Sequence, residues 1–484
     1  MGGFEEFIKN GALTNMESTM PPMTGPSWPS IYTGFRPGEH GVPEFLKMEP
    51  NYTKSVVYYD PKIKAPFWDS LSQNGLKSLV ITPAMLVEPS TEPNVDMITG
   101  FPLQSKCSSK RIKAIADKYH YNGEPEIETK MKSGEVSLQK ASSIYKESID
   151  TRSRMSKELI NNNEYDLSFI CFTEQDRLQH FSLNNQRWRD YILPLYESIS
   201  DFMLWVEERA RRERSTVMVV SDHGAQPIEK KFLMNGWLVH KKYAAFTKAI
   251  EEGINTNKGV MRYVVREKLL SSVSKSGSRK LLYDKLPPSL KGIAKSTISK
   301  MLSGTSPEDY TRIHDFDYDM KKTVAFASIA NCPVTTIFIN DNRFESGIVT
   351  KMERPRIKKR LMEDLAKIKD KDGKKLIINV WDADEYYEGT KLFIAPDIFA
   401  EIRDGYILDA FGYLKSGGLT IDPEMAKSGD HQRNGIFGVM SYNRSIDYGK
   451  ISRKKLYVYN VQPTIMRYFG LNPHNDSRYS AIFQ

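Results

Sequence analysis

The stretch Ser215–Gly224, STVMVVSDHG, decides the reading of this chain. From Thr216 to Val220 five residues are β-branched or apolar with no charge among them, which predicts a strand buried on both faces, as in a parallel sheet. The run stops at Asp222-His223-Gly224. Open α/β sheets gather their ligands outside the carboxyl ends of strands, so a carboxylate and an imidazole placed there form a candidate metal or catalytic pair. The plainer alternative is that Ser221 or Asp222 caps a following helix and His223 is a surface residue. The rest of the chain has to decide between them.

A second apolar run, Asp166 to Thr173 (DLSFICFT), leads into Glu174-Gln175-Asp176-Arg177-Leu178-Gln179-His180. Asp176 and His180 are four apart, so a helical turn puts both on one face, where they can share a cation. A predicted helix from Trp188 to about Arg214 joins this turn to the first one. Two adjacent parallel strands would then deliver both Asp/His pairs to one crevice. Upstream, Val136 to Asn163 reads as a long helix, and Ser55–Tyr59 and Ser78–Thr82 as strands separated by a helix over Phe67–Asn74. This β-α-β alternation implies a parallel sheet. Pro83 to Gly134 reads as a loop-rich excursion without a clear period.

Near the start, Thr24-Gly25-Pro26-Ser27-Trp28 follows a proline-rich turn, and Pro26 suits the first turn of a helix. Thr24 would stand at the amino end, where unpaired backbone N–H groups and the helix dipole favour phosphate. A plain capping role is the alternative. His40 reads as structural. Toward the other end, Ser428-Gly429-Asp430-His431 precedes an apolar strand, Ile436–Met440. His431 gains meaning there as a partner for Asp176 and His180. Val461 to Phe469 predicts a final helix.

At 484 residues the chain is long for one domain, and ample core is available without staples. Cys107, Cys171 and Cys332 are too few and too scattered for a disulfide framework. No run approaches the ~18 apolar residues of a membrane span. The start, Met1-Gly2-Gly3-Phe4-Glu5-Glu6, lacks the basic and apolar regions of a signal peptide, so the expected location is the cytoplasm. Net charge is +9, and Lys241 to Lys300 alone carries fourteen basic residues against four acidic ones. This window suggests an anionic substrate or surface, or a solvated helical face. It lacks aromatic stacking motifs, which argues against nucleic acid.

Taken together, Thr24, Asp176, His180, Asp222, His223 and His431 resemble the alkaline phosphatase superfamily, in its type I phosphodiesterase and nucleotide pyrophosphatase branch. The similarity extends through STMPPMTGPSWPSIYTGFRPGEHGV, DRLQH, SDHG, FLMNGWL, the TIFIND and FESGIV stretches, GDHQRNGIFGV and VQPTIMRYFGL. It implies a three-layer α/β/α sandwich with a mainly parallel central sheet, an inserted basic helical cap and a small α+β subdomain. The core would occupy residues 1–228 and 321–484, the cap 229–320, and the subdomain about 341–420. It also implies two divalent metal ions, zinc first and manganese second. Asp176, His180 and His431 would hold one, Asp222 and His223 the other, and Thr24 would touch both as the nucleophile of a phosphothreonine intermediate.

The implied activity is hydrolysis of a phosphate ester, of phosphodiesterase or nucleotide pyrophosphatase type, with a nucleotide or nucleotide-sugar as candidate substrate. A phosphotransferase, phosphomutase or phosphomonoesterase on the same scaffold, and a non-catalytic anion- or membrane-surface binder, are the competing readings. One departure bears on them. The family's first strand ends in an aspartate of the second metal site, whereas the residues before Thr24 offer only Glu5, Glu6 and Glu17 as acids, none read as following an apolar strand. Either the chain is written from an internal methionine or the second metal site is defective; the expectation is the former, because losing a central strand would expose apolar faces.

Overall fold

A computed structural model describes residues 2–247, 318–328, 332–388, 390, 392–409, 419–421, 428–473 and 479–483. Most of the basic window, and with it the body of the expected cap, lies outside the described residues.

Two sheets frame the molecule. One is parallel, in the order Val95–Ile98, Ser78–Ile81, Leu167–Ile170. The other is mixed, in the order Leu456–Tyr457, Ala12–Glu17, Asn434–Ser441, Thr216–Val220. Within it Asn434–Ser441 runs antiparallel to both of its neighbours. The long helices Leu138–Asn162 and Trp188–Glu213 cover one side, packing around Tyr145, Ile149, Leu195 and Ile199. On the opposite side the helices Thr24–Thr33, Phe67–Gln73 and Val461–Tyr468 build an aromatic core in which Tyr32 and Trp68 lie 4.7 Å apart. This is the α/β layering the sequence predicts.

The strands Leu167–Ile170 and Thr216–Val220 contribute to the same aromatic core through Leu167, Phe169, Met218 and Val220. Each is an edge, since no strand among the described residues pairs with its second side. As expected, both faces of Thr216–Val220 meet core, Val217 and Val219 on one side and Met218 and Val220 on the other, but burial is incomplete along this edge strand. Val217 is the most buried of its five residues, whereas all four residues of Ser78–Ile81, paired on both sides, are fully buried.

Other expectations change as well. Ser55–Tyr59 does not join the parallel sheet: Lys54–Val56 forms an antiparallel hairpin with Leu46–Met48, and Tyr59 turns into the aromatic core. Pro83–Gly134 is not all loop. It holds the strand Val95–Ile98 and the helix Lys110–Lys118, whose cap Ser109 accepts from the Ile112 N–H at 3.2 Å. Asp96, at the sheet edge, breaks the apolar run of this strand and pairs with Arg111 and Tyr165. A strand also precedes Thr24, Ala12–Glu17, and its last residue pairs with Arg433 and Lys455.

A third, wholly antiparallel sheet has the order Ala325–Ala327, Val334–Ile339, Ile398–Ile402, Ile377–Asp382, with the helix Arg354–Leu365 packed on it through Leu361 and Leu365. No helix among the described residues is long and apolar enough to cross a membrane.

Candidate metal centre

The two Asp/His turns leave adjacent sheet edges in different conformations. Asp176 and His180 lie on the helix Glu174–Ser182, whose start is clamped by Arg152 of the long helix before it. Arg152 and Glu174 are both fully buried, and their paired N–H···O bonds are 3.0 and 2.8 Å. Arg152 also donates to the Cys171 carbonyl at 2.9 Å, which ties the end of the strand to the start of the helix. Arg177, between the two metal-ligand candidates, pairs with Glu124 and Glu128 and lies 4.6 Å from the Phe101 ring.

Asp222 and His223 sit on an extended turn that enters the short strand Gly224–Pro227, not a helix. This removes the capping alternative. Gly224 serves close packing: a Cβ there would collide with the Asn434 carbonyl oxygen. The turn is tied to the Thr24 helix by hydroxyls. Ser18 donates to the Asp222 carbonyl at 2.5 Å and contacts the Ser27 hydroxyl at 2.7 Å, which also lies 2.8 Å from Thr19. Thr24 is the first residue of its helix, as expected, and its Oγ1 lies 3.2 Å from His223 Nε2.

Carbonyl oxygens only accept, so they fix the imidazole tautomers. His223 Nδ1 donates to the Gly224 carbonyl at 3.0 Å, and His180 Nδ1 to the Gly429 carbonyl at 3.0 Å. Both Nε2 atoms are thereby turned toward carboxylates, His223 toward Asp222 at 3.1 Å and His180 toward Asp176 at 3.7 Å. Orientation by a backbone acceptor on the far nitrogen is how metal-binding histidines are held. The His431 ring lies 4.9 Å from that of His180 and 4.0 Å from that of His223.

All six sequence-predicted residues are thus gathered in one crevice. Two triads have donor atoms within 4.8 Å of one another: Asp176, His223, His431 and His180, Asp430, His431. They share His431, and they divide the residues differently from the expected pairing. Burial raises the Asp176 carboxyl, but His180, His223, His431 and Arg177 outweigh it and hold it below the ordinary value. Burial and the nearby Asp176 charge raise Asp222, against the pull of His223. Imidazole nitrogens and carboxylates converging in this way fit a divalent cation.

Sequence reasoning passed over Asp430, Arg152, Glu174 and the Ser18/Thr19/Ser27 hydroxyls. The hydroxyls lie within the quoted STMPPMTGPS stretch, and Asp430 adjoins His431. Nothing in sequence links Arg152 to Glu174. His40, read as structural, is buried and bonds Ser30 Oγ at 2.9 Å.

The fold resembles phosphonoacetate hydrolase from Sinorhizobium meliloti 1021 in complex with phosphonoacetate, with a TM-score of 0.51 and 14% identity over 96% of this chain and 88% of that one. Murine ectonucleotide pyrophosphatase / phosphodiesterase 5 gives a TM-score of 0.46 and 12% identity over 98% and 90%. No curated protein matches the chain by sequence. Residues 1–410 match the family model described as type I phosphodiesterase / nucleotide pyrophosphatase. The chain belongs to that family of metal-dependent phosphate-ester hydrolases, within the alkaline phosphatase superfamily.

Proposed function

We propose that this enzyme cleaves a phosphodiester or nucleotide pyrophosphate with Thr24 Oγ1 as nucleophile, at a centre of two divalent cations. Asp176, His180 and His431 would hold one cation and Asp222 and His223 the other, with Thr24 shared between them. The carrying observation is the threonine hydroxyl at a helix amino end, 3.2 Å from His223 Nε2 within the gathered carboxylates and imidazoles. A threonine hydroxyl is a weak nucleophile at neutral pH, and bound divalent cations would supply the acidity that makes it reactive and the positive charge that offsets the phosphoryl oxygens.

The chain's own residues supply position. The first turn of the Thr24 helix offers backbone N–H groups and a positive dipole end to the phosphoryl group. The Ser18–Ser27 contact and the Ser18 bond to the Asp222 carbonyl fix Thr24 relative to Asp222 and His223. Attack of Oγ1 on phosphorus would expel the leaving group and form phosphothreonine, which water then cleaves. The surplus of positive charge between Lys241 and Lys300 favours an anionic substrate such as a nucleotide or nucleotide-sugar, with zinc as the first candidate metal and manganese the second.

The test is turnover of a phosphodiester and a phosphomonoester with and without chelator, alongside covalent labelling by radioactive phosphate ester. Diester turnover should exceed monoester turnover, chelator should stop both, and Thr24→Ala should leave no label. Chelator-insensitive turnover would remove the cations from the mechanism, and a labelled Thr24→Ala protein would move the nucleophile elsewhere.

A further inference from the structure

The sequence Gly429-Asp430-His431 places two potential donors side by side on one strand. In a regular strand consecutive side chains point to opposite faces, so Asp430 should face away when His431 faces the crevice. It does not. The Asp430 carboxylate folds back along the chain, and its Oδ1 accepts the His431 backbone N–H at 2.7 Å. That oxygen lies 3.7 Å from His431 Nδ1, and the Asp430 side chain is fully buried.

The strand carrying it is fastened to the helix Glu174–Ser182. The Ser428 N–H donates to the His180 carbonyl at 2.8 Å, and His180 Nδ1 donates to the Gly429 carbonyl at 3.0 Å. Gly429 permits this approach, since a Cβ there would collide with the Gln179 carbonyl oxygen. The outcome is a carboxylate oxygen of Asp430 and ring nitrogens of His180 and His431 within 4.8 Å of one another.

We infer that Asp430 is a further cation ligand, completing with His180 and His431 the site on the Asp176 side of the crevice. The inference rests on the two-cation reading above and adds a residue that the resemblance did not supply. Its chemistry is that of a buried carboxylate: costly to keep charged in an apolar setting, and well matched by a divalent ion. A third carboxylate beside Asp176 and Asp222 also balances more of the charge that two divalent cations would bring into a buried crevice.

The test is titration of the metal-free full chain with Zn2+ and with Co2+, read by calorimetry and by the Co2+ visible spectrum. Wild type should bind two ions per chain. Asp430→Asn keeps an oxygen to accept the His431 N–H but loses the charge, and one of the two binding steps should weaken at least tenfold. Asp430→Glu keeps the charge and displaces it by one methylene, so it should retain both ions with an altered Co2+ spectrum. Isotherms and spectra identical to wild type in either variant would overturn the inference while leaving the two-cation reading standing. Wild type that binds no ion would overturn both. Should Asp430→Asn fail to fold, the Co2+ spectrum of Asp430→Glu decides alone.

Discussion

The two Asp/His turns meet at one place with different support. The turn carrying Asp176 and His180 is a helix whose start is locked by charge: Arg152 and Glu174 meet with no solvent exposure, and Glu124 and Arg177 extend the network. The turn carrying Asp222 and His223 is an extended segment held by neutral groups, the hydroxyls of Ser18, Thr19 and Ser27, with His40 and Ser30 farther along the Thr24 helix. A buried ion pair contributes little net stability but is severe to break, because the surviving charge is left uncompensated. Hydroxyl networks fail more gently. The first half of the crevice should therefore be brittle toward mutation and the second tolerant.

The largest effect expected follows from this contrast. Arg152→Met strands the Glu174 carboxylate in the core and should cost about 3–5 kcal/mol of stability, measured by urea denaturation of the metal-free protein. Arg152→Met combined with Glu174→Gln should recover a substantial part of that loss, because no charge is then stranded. A single variant no less stable than a hydroxyl deletion would erase the distinction between the two turns.

On the neutral side, Ser27→Ala leaves the oxygens of Ser18 and Thr19 without their shared neighbour. The expected cost is about 2 kcal/mol, with turnover reduced more than substrate binding, since Thr24 loses its alignment with Asp222 while the protein stays folded. Unfolding curves and a separation of kcat from KM check this. A rise in KM alone, with kcat unchanged, would place the hydroxyls at the substrate instead.

This contrast also marks what the sequence reveals. Asp176, His180, Asp222 and His223 were legible because carboxylate and imidazole pairs at the ends of apolar runs are a chemical signature that needs no tertiary information. Thr24 was legible from its proline-rich helix start. The supports were not. Arg152 and Glu174 are 22 residues apart with no shared period, and each alone reads as an ordinary surface charge. Asp430 was hidden by strand alternation, which assigns it to the wrong face until the fold-back is seen. The antiparallel course of Asn434–Ser441 was equally hidden, because an apolar run carries no sign of its direction. The half-buried state of Thr216–Val220 depends on what lies beside it, and composition cannot report that.

The smallest effect expected concerns pH, and it separates the two kinds of support by their protons. His40 is buried against Ser30 Oγ, and burial pushes its pKa down from 6.5 to about 3. The folded protein therefore keeps this imidazole neutral while the unfolded chain takes up a proton below pH 6.5, so the unfolded state binds more protons throughout that window. Stability from this group is fully present above pH 6.5 and is lost as pH falls toward 3. The loss approaches about 1.4 kcal/mol per pH unit, or roughly 1 kcal/mol between pH 7 and pH 5.5. His40→Gln removes the titrating group, so the stability gap between wild type and variant, read by urea denaturation, should narrow by that amount over the interval. A gap independent of pH would mean that His40 takes up its proton as readily in the folded protein as in the unfolded chain, so that burial does not hold it neutral.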